Sequence, residues 1–237
     1  MPLPPLYPII DFSSFAKQSD PVWAIVRYVE ELMGAGATLV QLRDKTLLEP
    51  GEGNATRRFL SCARDLRRVT LGKATLIVND RVDLCLASDA DGVHLGQDDL
   101  SPVAARKIFD STQSRPITQL LGKAQLQHPE GLSVGKLIGF STHNLAQVRE
   151  ADTLPVDYIA IGPVFATDSK ANPDPVVGIE GVRQARQATS KPLVAIGGIT
   201  RLNCRQVKGA GADSVAVISD LLESPGKAVA DFLRVLG

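Results

Sequence analysis

LIVNDRVDLCLASDADGVHLGQDDL, residues Leu76 to Leu100, holds one full turn of the pattern that builds the chain. The apolar run Leu76–Val78 suits a short buried strand and breaks at Asn79-Asp80-Arg81. A helical stretch around Leu84–Ala87 follows, then the small-residue turn SDADG. A second apolar run, Val93–Leu95, breaks in turn at Gly96-Gln97-Asp98-Asp99. Strand, helix and strand in this order form a βαβ unit, which makes the strands parallel.

Working outward, the same unit recurs. Further apolar runs lie at Leu6–Ile10, Leu39–Leu42, Leu137–Phe140, Tyr158–Ile161, Leu193–Ile196 and Val215–Ile218, giving eight strand candidates with the two above. Most are rich in Val, Ile and Leu without clean alternation, as parallel strands covered on both faces should be. Helical periodicity appears in Val22–Met33, Phe59–Val69, a segment beginning near Pro102, Leu145–Ala151, Val182–Ala188, Leu202–Lys208 and Ala228–Val235. The expected fold is therefore α/β, a (β/α)₈ TIM barrel formed as a single domain over residues 1–237. The alternative is a doubly wound open sheet. That fold calls for GxGxxG after the first strand, where this chain has DFSSF.

Composition agrees. The chain has 237 residues, close to the roughly 250 typical of such barrels. It is 44% hydrophobic and 22% charged, enough apolar material for a large core. Lys plus Arg and Asp plus Glu both number 26, and a net charge of zero argues against a general nucleic-acid binder. Three cysteines without metal-ligand spacing suit a reducing, cytoplasmic compartment. MPLPPLYPIIDF does not read as a signal peptide, and no run reaches the ~18 apolar residues of a membrane span. One interval breaks the rhythm. Residues 110–136 are long for an αβ loop and read as an insertion on the N-terminal face of the barrel, with a short helix expected at Ile117–Gln127. Stability or partner contact is the role expected there, since barrel chemistry sits at the opposite end.

The residues that follow each strand form that chemical end. The second strand leads into Gln41-Leu42-Arg43-Asp44-Lys45, the third into Asn79-Asp80 and the fourth into Asp98-Asp99. Two carboxylates beside two cations suit a Mg²⁺–polyphosphate site, because Mg²⁺ joins one or two carboxylates to substrate phosphates. Rim ion pairs Arg43–Asp80 and Lys45–Asp99 are the plainer reading. Gly197-Gly198 and Ser219, after the seventh and eighth strands, occupy the recurrent phosphate position of barrels. A tight turn would need the same glycines. Ala166–Val177 is long for a βα loop and reads as a lid. His94 reads as a hydrogen-bonded interior histidine, His143 as facing the site, and His128 carries no signal. No Ser-His-Asp or Cys-His arrangement can be argued.

QLRDK, IVNDRVDLCLASDADGVHLGQDDL, GFSTHN, YIAIGPVFATDSK, GIEGVR, AIGGIT and GAGADSVAVIS occur in that order. Together they resemble the thiamine-phosphate synthase (thiamine-phosphate pyrophosphorylase) family over about residues 6–222, apart from the insertion. The resemblance implies a barrel transferase with small-molecule substrates. It couples 4-amino-5-hydroxymethyl-2-methylpyrimidine diphosphate with 4-methyl-5-(2-hydroxyethyl)thiazole phosphate, with Mg²⁺ as cofactor, and allows a homo-oligomer. By motif match, Gln41, Arg43, Lys45, Asn79 and Ser141 should contact the pyrimidine diphosphate. Asp80 and Asp99 should hold the metal. Thr167, Ser169 and Lys170 should hold the thiazole phosphate and reach the diphosphate. Gly198, Ile218 and Ser219 should bind the thiazole phosphate. Arg43, Lys45, Ser141 and Lys170 are the catalytic set. Asp44 stands where the family commonly has Glu. Ala166 and Ser169 replace a proline and a threonine, which puts thiazole affinity in question. The alternatives are the thiazole tautomerase of the same superfamily, which has a histidine at the position of His143, and a non-catalytic sensor of thiazole or thiamine phosphate.

Overall fold

A strand buried on both faces sends alternate side chains to two different cores, and this parity decides which residues can reach a site at the barrel mouth. In the computed structural model, which describes residues 3–45, 54–113, 135–167 and 174–237, all eight apolar runs are parallel strands. They are β1 (Leu6–Asp11), β2 (Leu39–Arg43), β3 (Thr75–Asn79), β4 (Gly92–Leu95), β5 (Leu137–Thr142), β6 (Tyr158–Ile161), β7 (Leu193–Ile196) and β8 (Ser214–Val217). They pair in chain order, and β1 pairs with β8 as well as β2, so the barrel is closed and the open-sheet alternative falls.

The helices of the described residues alternate with the strands. They are α1 (Pro21–Gly34), α2 (Ala55–Thr70), α3 (Val82–Ser88), α4 (Pro102–Gln113), α5 (Leu145–Thr153), α6 (Gly178–Ala188), α7 (Cys204–Gly209) and α8 (Pro225–Leu236). Local chemistry sets their starts. Asp20 accepts the Trp23 amide at 3.0 Å ahead of Pro21, which lacks the amide hydrogen that would otherwise need a partner. Asn144 accepts the Gln147 amide in the same way at the head of α5. None of these helices is long and apolar enough to cross a membrane.

Several element ends fall a residue or more from expectation, two of them in the seventh and eighth units. α7 begins at Cys204 rather than at Leu202, because Asn203 accepts the Thr200 amide and donates to the Gly198 carbonyl, holding 200–203 as a turn. β8 ends at Val217, and Ser219–Leu221 is a 3₁₀ turn. The expected helix at Ile117–Gln127 and His128 lie outside the described residues.

Tyr7, Ile9, Leu39, Ile77, Tyr158, Ala160, Val194 and Ala216 fill the barrel interior. Their strand neighbours Leu6, Ile10, Val40, Leu42, Leu76, Val78, Ile159 and Leu193 pack outward against helix residues such as Phe59, Leu66, Phe109 and Phe232. Gly139 belongs to the interior set because nothing larger fits. A Cβ there would lie 2.1 Å from the Tyr158 ring, so glycine lets that tyrosine cross the barrel.

The N-terminal end of the barrel carries a repeated clamp. Asp91, Asp157 and Asp213 immediately precede β4, β6 and β8. Each carboxylate accepts a backbone amide from the preceding strand, Leu76, Ile138 and Leu193 respectively, at 2.7–2.8 Å. Each also pairs with an arginine from α2, α4 or α6: Arg67 at 3.0 Å, Arg106 at 2.6 Å and Arg186 at 2.8 Å. The position before β2 is Thr38, which has no carboxylate. The segment between α4 and β5 returns at this end, where Lys136 pairs with Asp89. Residues 114–134 lie outside the described residues.

Candidate active site

Register carries the interior parity to the mouth. Gln41 pairs with Ile9 and Ile77, Asn79 with His94, and His94 with Gly139. Gln41, Arg43, Asn79, His94 and Ser141 are therefore in phase with Leu39, Ile77 and Leu137, and all five line one cavity of about 670 Å³. Lys45, Asp80, Asp99, Thr167, Gly198, Ile218 and Ser219 line it too. Every described residue of the expected site is thus in one concavity. Ser169 and Lys170 lie outside the described residues, as does half of the expected lid, residues 168–173. The far end of that loop returns to the chain just after β6, since the Val177 amide donates to the Pro163 carbonyl at 2.9 Å.

Asp80 and Asp99 stand at adjacent strand ends. The Asp80 amide donates to the His94 carbonyl at 2.8 Å, which holds Asp80 with φ at 63°, a conformation uncommon for a residue with a side chain. Asp99 closes on its own turn by accepting the Gly96 amide at 2.6 Å. The two carboxyl groups face each other. Burial, the Asp99 charge and a hydrogen bond with Asp99 push the Asp80 carboxyl up to about 7, with Arg43 opposing. Two crowded carboxylates in a partly desolvated pocket are relieved by a shared proton or by a cation that joins them. No cluster of three or more metal-ligating side chains occurs among the described residues. Two carboxylates beside an open cavity fit Mg²⁺, which keeps waters and takes substrate oxygens, better than an ion needing a closed protein cage.

Arg43 does not make the rim pair with Asp80 as its closest ion contact. Its Nε lies 3.5 Å from Asp11 Oδ2, with both side chains largely buried. Asp11 Oδ1 is in turn held by the Ser13 amide at 3.1 Å and the Ser13 hydroxyl at 2.6 Å. Sequence reasoning misses Asp11, yet it shares the parity of Tyr7 and Ile9, and that signal would have found it. Asp44 has the opposite parity. Its buried carboxylate lies 3.7 Å from Arg58, whose guanidinium sits 4.9 Å above the Phe12 ring.

Across the barrel, Gly197 and Gly198 have φ of 103° and 61°. A Cβ on Gly198 would lie 2.5 Å from the Ala166 carbonyl oxygen. The pair therefore serves a tight approach of two loops as well as lining the cavity beside Ile218 and Ser219. His143 also lines it. Its Nδ1 lies 2.9 Å from the Gly162 carbonyl, which can only accept, so Nδ1 carries the hydrogen. Asp174 lies 3.4 Å from the same nitrogen. His94 is an interior residue bonded to Tyr158 and Ser141, and burial followed by the Arg43 charge pushes it down to about 4.

The family model described as thiamine monophosphate synthase matches residues 6–114 and 122–221. The chain is 46% identical over 234 residues to the thiamine-phosphate synthase of Koribacter versatilis (strain Ellin345), covering 99% of this chain and 96% of that protein. It is 38% identical over 192 residues to that of Chloroflexus aurantiacus (strain ATCC 29366 / DSM 635 / J-10-fl), covering 81% and 74%. Among solved structures, it is similar to thiamine phosphate pyrophosphorylase from Pyrococcus furiosus, with a TM-score of 0.74 and 31% identity over 98% of this chain and 95% of that one.

Proposed function

The chain belongs to the thiamine monophosphate synthase family, and we propose that its mouth is the active site of a thiamine-phosphate synthase. The reaction joins 4-amino-5-hydroxymethyl-2-methylpyrimidine diphosphate to 4-methyl-5-(2-hydroxyethyl)thiazole phosphate and releases diphosphate. One observation carries the reading. An acidic pair, a cation held by a buried aspartate and a glycine-bearing loop pair on the opposite wall all converge on one cavity.

The chemistry assigned to the residues follows from charge. Breaking the C–O bond to the diphosphate puts negative charge on the departing oxygens. Arg43 and Lys45 stabilise that charge more in the transition state than in the ground state, which lowers the barrier. Ser141 donates a hydrogen bond to the same group, and Gln41 and Asn79 orient the pyrimidine diphosphate. Asp80 and Asp99 hold Mg²⁺, which when bound neutralises diphosphate oxygens. Gly198, Ile218, Ser219 and Thr167, with Ser169 and Lys170, hold the thiazole phosphate so that the ring nitrogen faces the pyrimidine methyl carbon. The pyrimidine amino group stabilises a cation at that carbon by resonance, so the reaction needs no strong protein base. Three buried free cysteines support a reducing, cytoplasmic setting.

Incubating the protein with both phosphorylated substrates should give thiamine phosphate and diphosphate in equal amounts with Mg²⁺, and neither with a chelator. Asp80→Ala and Asp99→Ala should each abolish this turnover, by about a thousandfold or more if metal-assisted stabilisation is lost, while the circular dichroism of the fold persists. The tautomerase and sensor readings both require no coupled product. Full activity in both variants would overturn the metal assignment.

A further inference from the structure

Five side chains cross the barrel interior in an unbroken hydrogen-bonded line. Gln41 Nε2 lies 2.8 Å from the Tyr7 hydroxyl, and the Tyr7 hydroxyl lies 2.9 Å from that of Tyr158. The Tyr158 hydroxyl lies 3.1 Å from His94 Nδ1, and His94 Nε2 lies 2.8 Å from Ser141 Oγ. Gln41, Tyr7 and Tyr158 are at most 2% exposed and His94 is 8% exposed, so water has little access to the line. Its two ends, Gln41 and Ser141, line the cavity.

Donor chemistry limits the directions this line can take. An amide nitrogen only donates, so the Tyr7 oxygen accepts from Gln41. A tyrosine hydroxyl has one hydrogen and two lone pairs, so two directions are open beyond this point; in one of them Tyr7 donates to Tyr158 and Tyr158 donates to His94 Nδ1. That nitrogen must then be bare, and a neutral ring carries its hydrogen on Nε2. Nε2 donates to Ser141 Oγ. The hydrogen of Ser141 is left for whatever occupies the cavity.

We propose that Tyr7, Tyr158 and His94 are positioning residues that fix Ser141 as a hydrogen-bond donor toward the departing diphosphate. The proposal rests on the synthase reading for the identity of that group. The reverse polarity would spend the serine hydrogen on His94 and turn a lone pair toward an anion. Burial supports the ordered state. It pushes His94 down to about 4 and both tyrosines above their ordinary range, so every member stays neutral near pH 7. Gly139 supplies the room, since only a residue without Cβ lets the Tyr158 ring reach the barrel centre.

Nitrogen-15 spectra of the histidine rings in the full chain test the direction without any substrate. The expected result is the Nε2–H tautomer at His94 in the unmodified protein, and a shift toward Nδ1–H in Tyr158→Phe, which lacks the hydroxyl that donates to Nδ1. An Nδ1–H tautomer in the unmodified protein overturns the proposal, whether or not the variant folds. Kinetics provide the second arm. Tyr158→Phe should lower kcat about tenfold, the effect of one weakened hydrogen bond, and change KM for the pyrimidine diphosphate by less than about twofold. In a Ser141→Ala background the same change should cost nothing further. A tenfold loss that persists without Ser141, or no loss with it, overturns the proposal. If the unmodified chain makes no thiamine phosphate, the synthase reading fails, and the spectra alone decide the polarity of the line.

Discussion

Arg43 enters the cavity with its Nε beside Asp11, so the terminal nitrogens of its guanidinium are the part left to meet a ligand. Asp11→Asn separates orientation from packing. The amide oxygen can still accept from Ser13, whereas the charge opposite Arg43 is gone. We expect kcat/KM to fall roughly tenfold, the scale of one close charge pair in a partly buried site, with little change in melting temperature. Steady-state kinetics beside a thermal melt measure both, and unchanged kinetics would mean that Arg43 needs no such support. The contrast between these two residues also explains what a sequence discloses. Gln41, Arg43, Asn79 and Asp80 are legible because each follows an apolar run at a point where a barrel presents its chemistry. Parity places Asp11 at the mouth, but its partnership with Arg43 depends on register across β1 and β2. His94 has a polar identity and a buried position, but its bonds to Tyr158 and Ser141 exist only once three strands are aligned.

At the scale of elements, the strands are legible and their ends are less so. A parallel strand covered on both faces leaves a continuous apolar run, but polar residues at the mouth extend the strand past that run. β5 shows the effect. Its apolar part stops at Phe140, yet Thr142 donates from its hydroxyl to the Ala160 carbonyl and accepts the Gly162 amide, so pairing continues. The clamp at the opposite end is built from elements rather than single residues, and it makes an ordered prediction. Asp157→Ala removes an acceptor for the Ile138 amide as well as a partner for Arg106. Arg106→Ala removes one member of a partly exposed ion pair and its bonds to the Lys136 and Pro155 carbonyls. Losing the amide acceptor should cost about 1–3 kcal/mol, whereas the exposed pair contributes at most about 1 kcal/mol and the two carbonyls Arg106 leaves can turn to water at this open end. Urea unfolding should therefore rank Asp157→Ala below Arg106→Ala in stability. The reverse order would show that the arginine, and not the backbone anchor, is the working part of the clamp.

The whole molecule divides these duties between its two ends, with the clamps at one mouth, the cavity at the other, and a neutral hydrogen-bonded line between them. That line ties global stability to pH through His94. An exposed histidine titrates near 6.5, but burial and the Arg43 charge push the folded ring down to about 4. Between those values the unfolded chain holds a proton that the folded one refuses, so unfolding gains on folding as pH drops. The contribution is fully present above about pH 6.5, shrinks as acid is added, and is gone below about pH 4. Its size is about 3 kcal/mol, from the separation of the two values at 1.36 kcal/mol per unit. Carboxylates titrate over part of the same range, so the quantity to measure is the stability difference between the unmodified protein and His94→Gln, in urea, from pH 7.5 to 4. That difference should move against the unmodified protein by about 3 kcal/mol on acidification. A flat difference would mean that the ring takes up its proton in place, and a barrel core that admits an imidazolium could not hold the line in one direction.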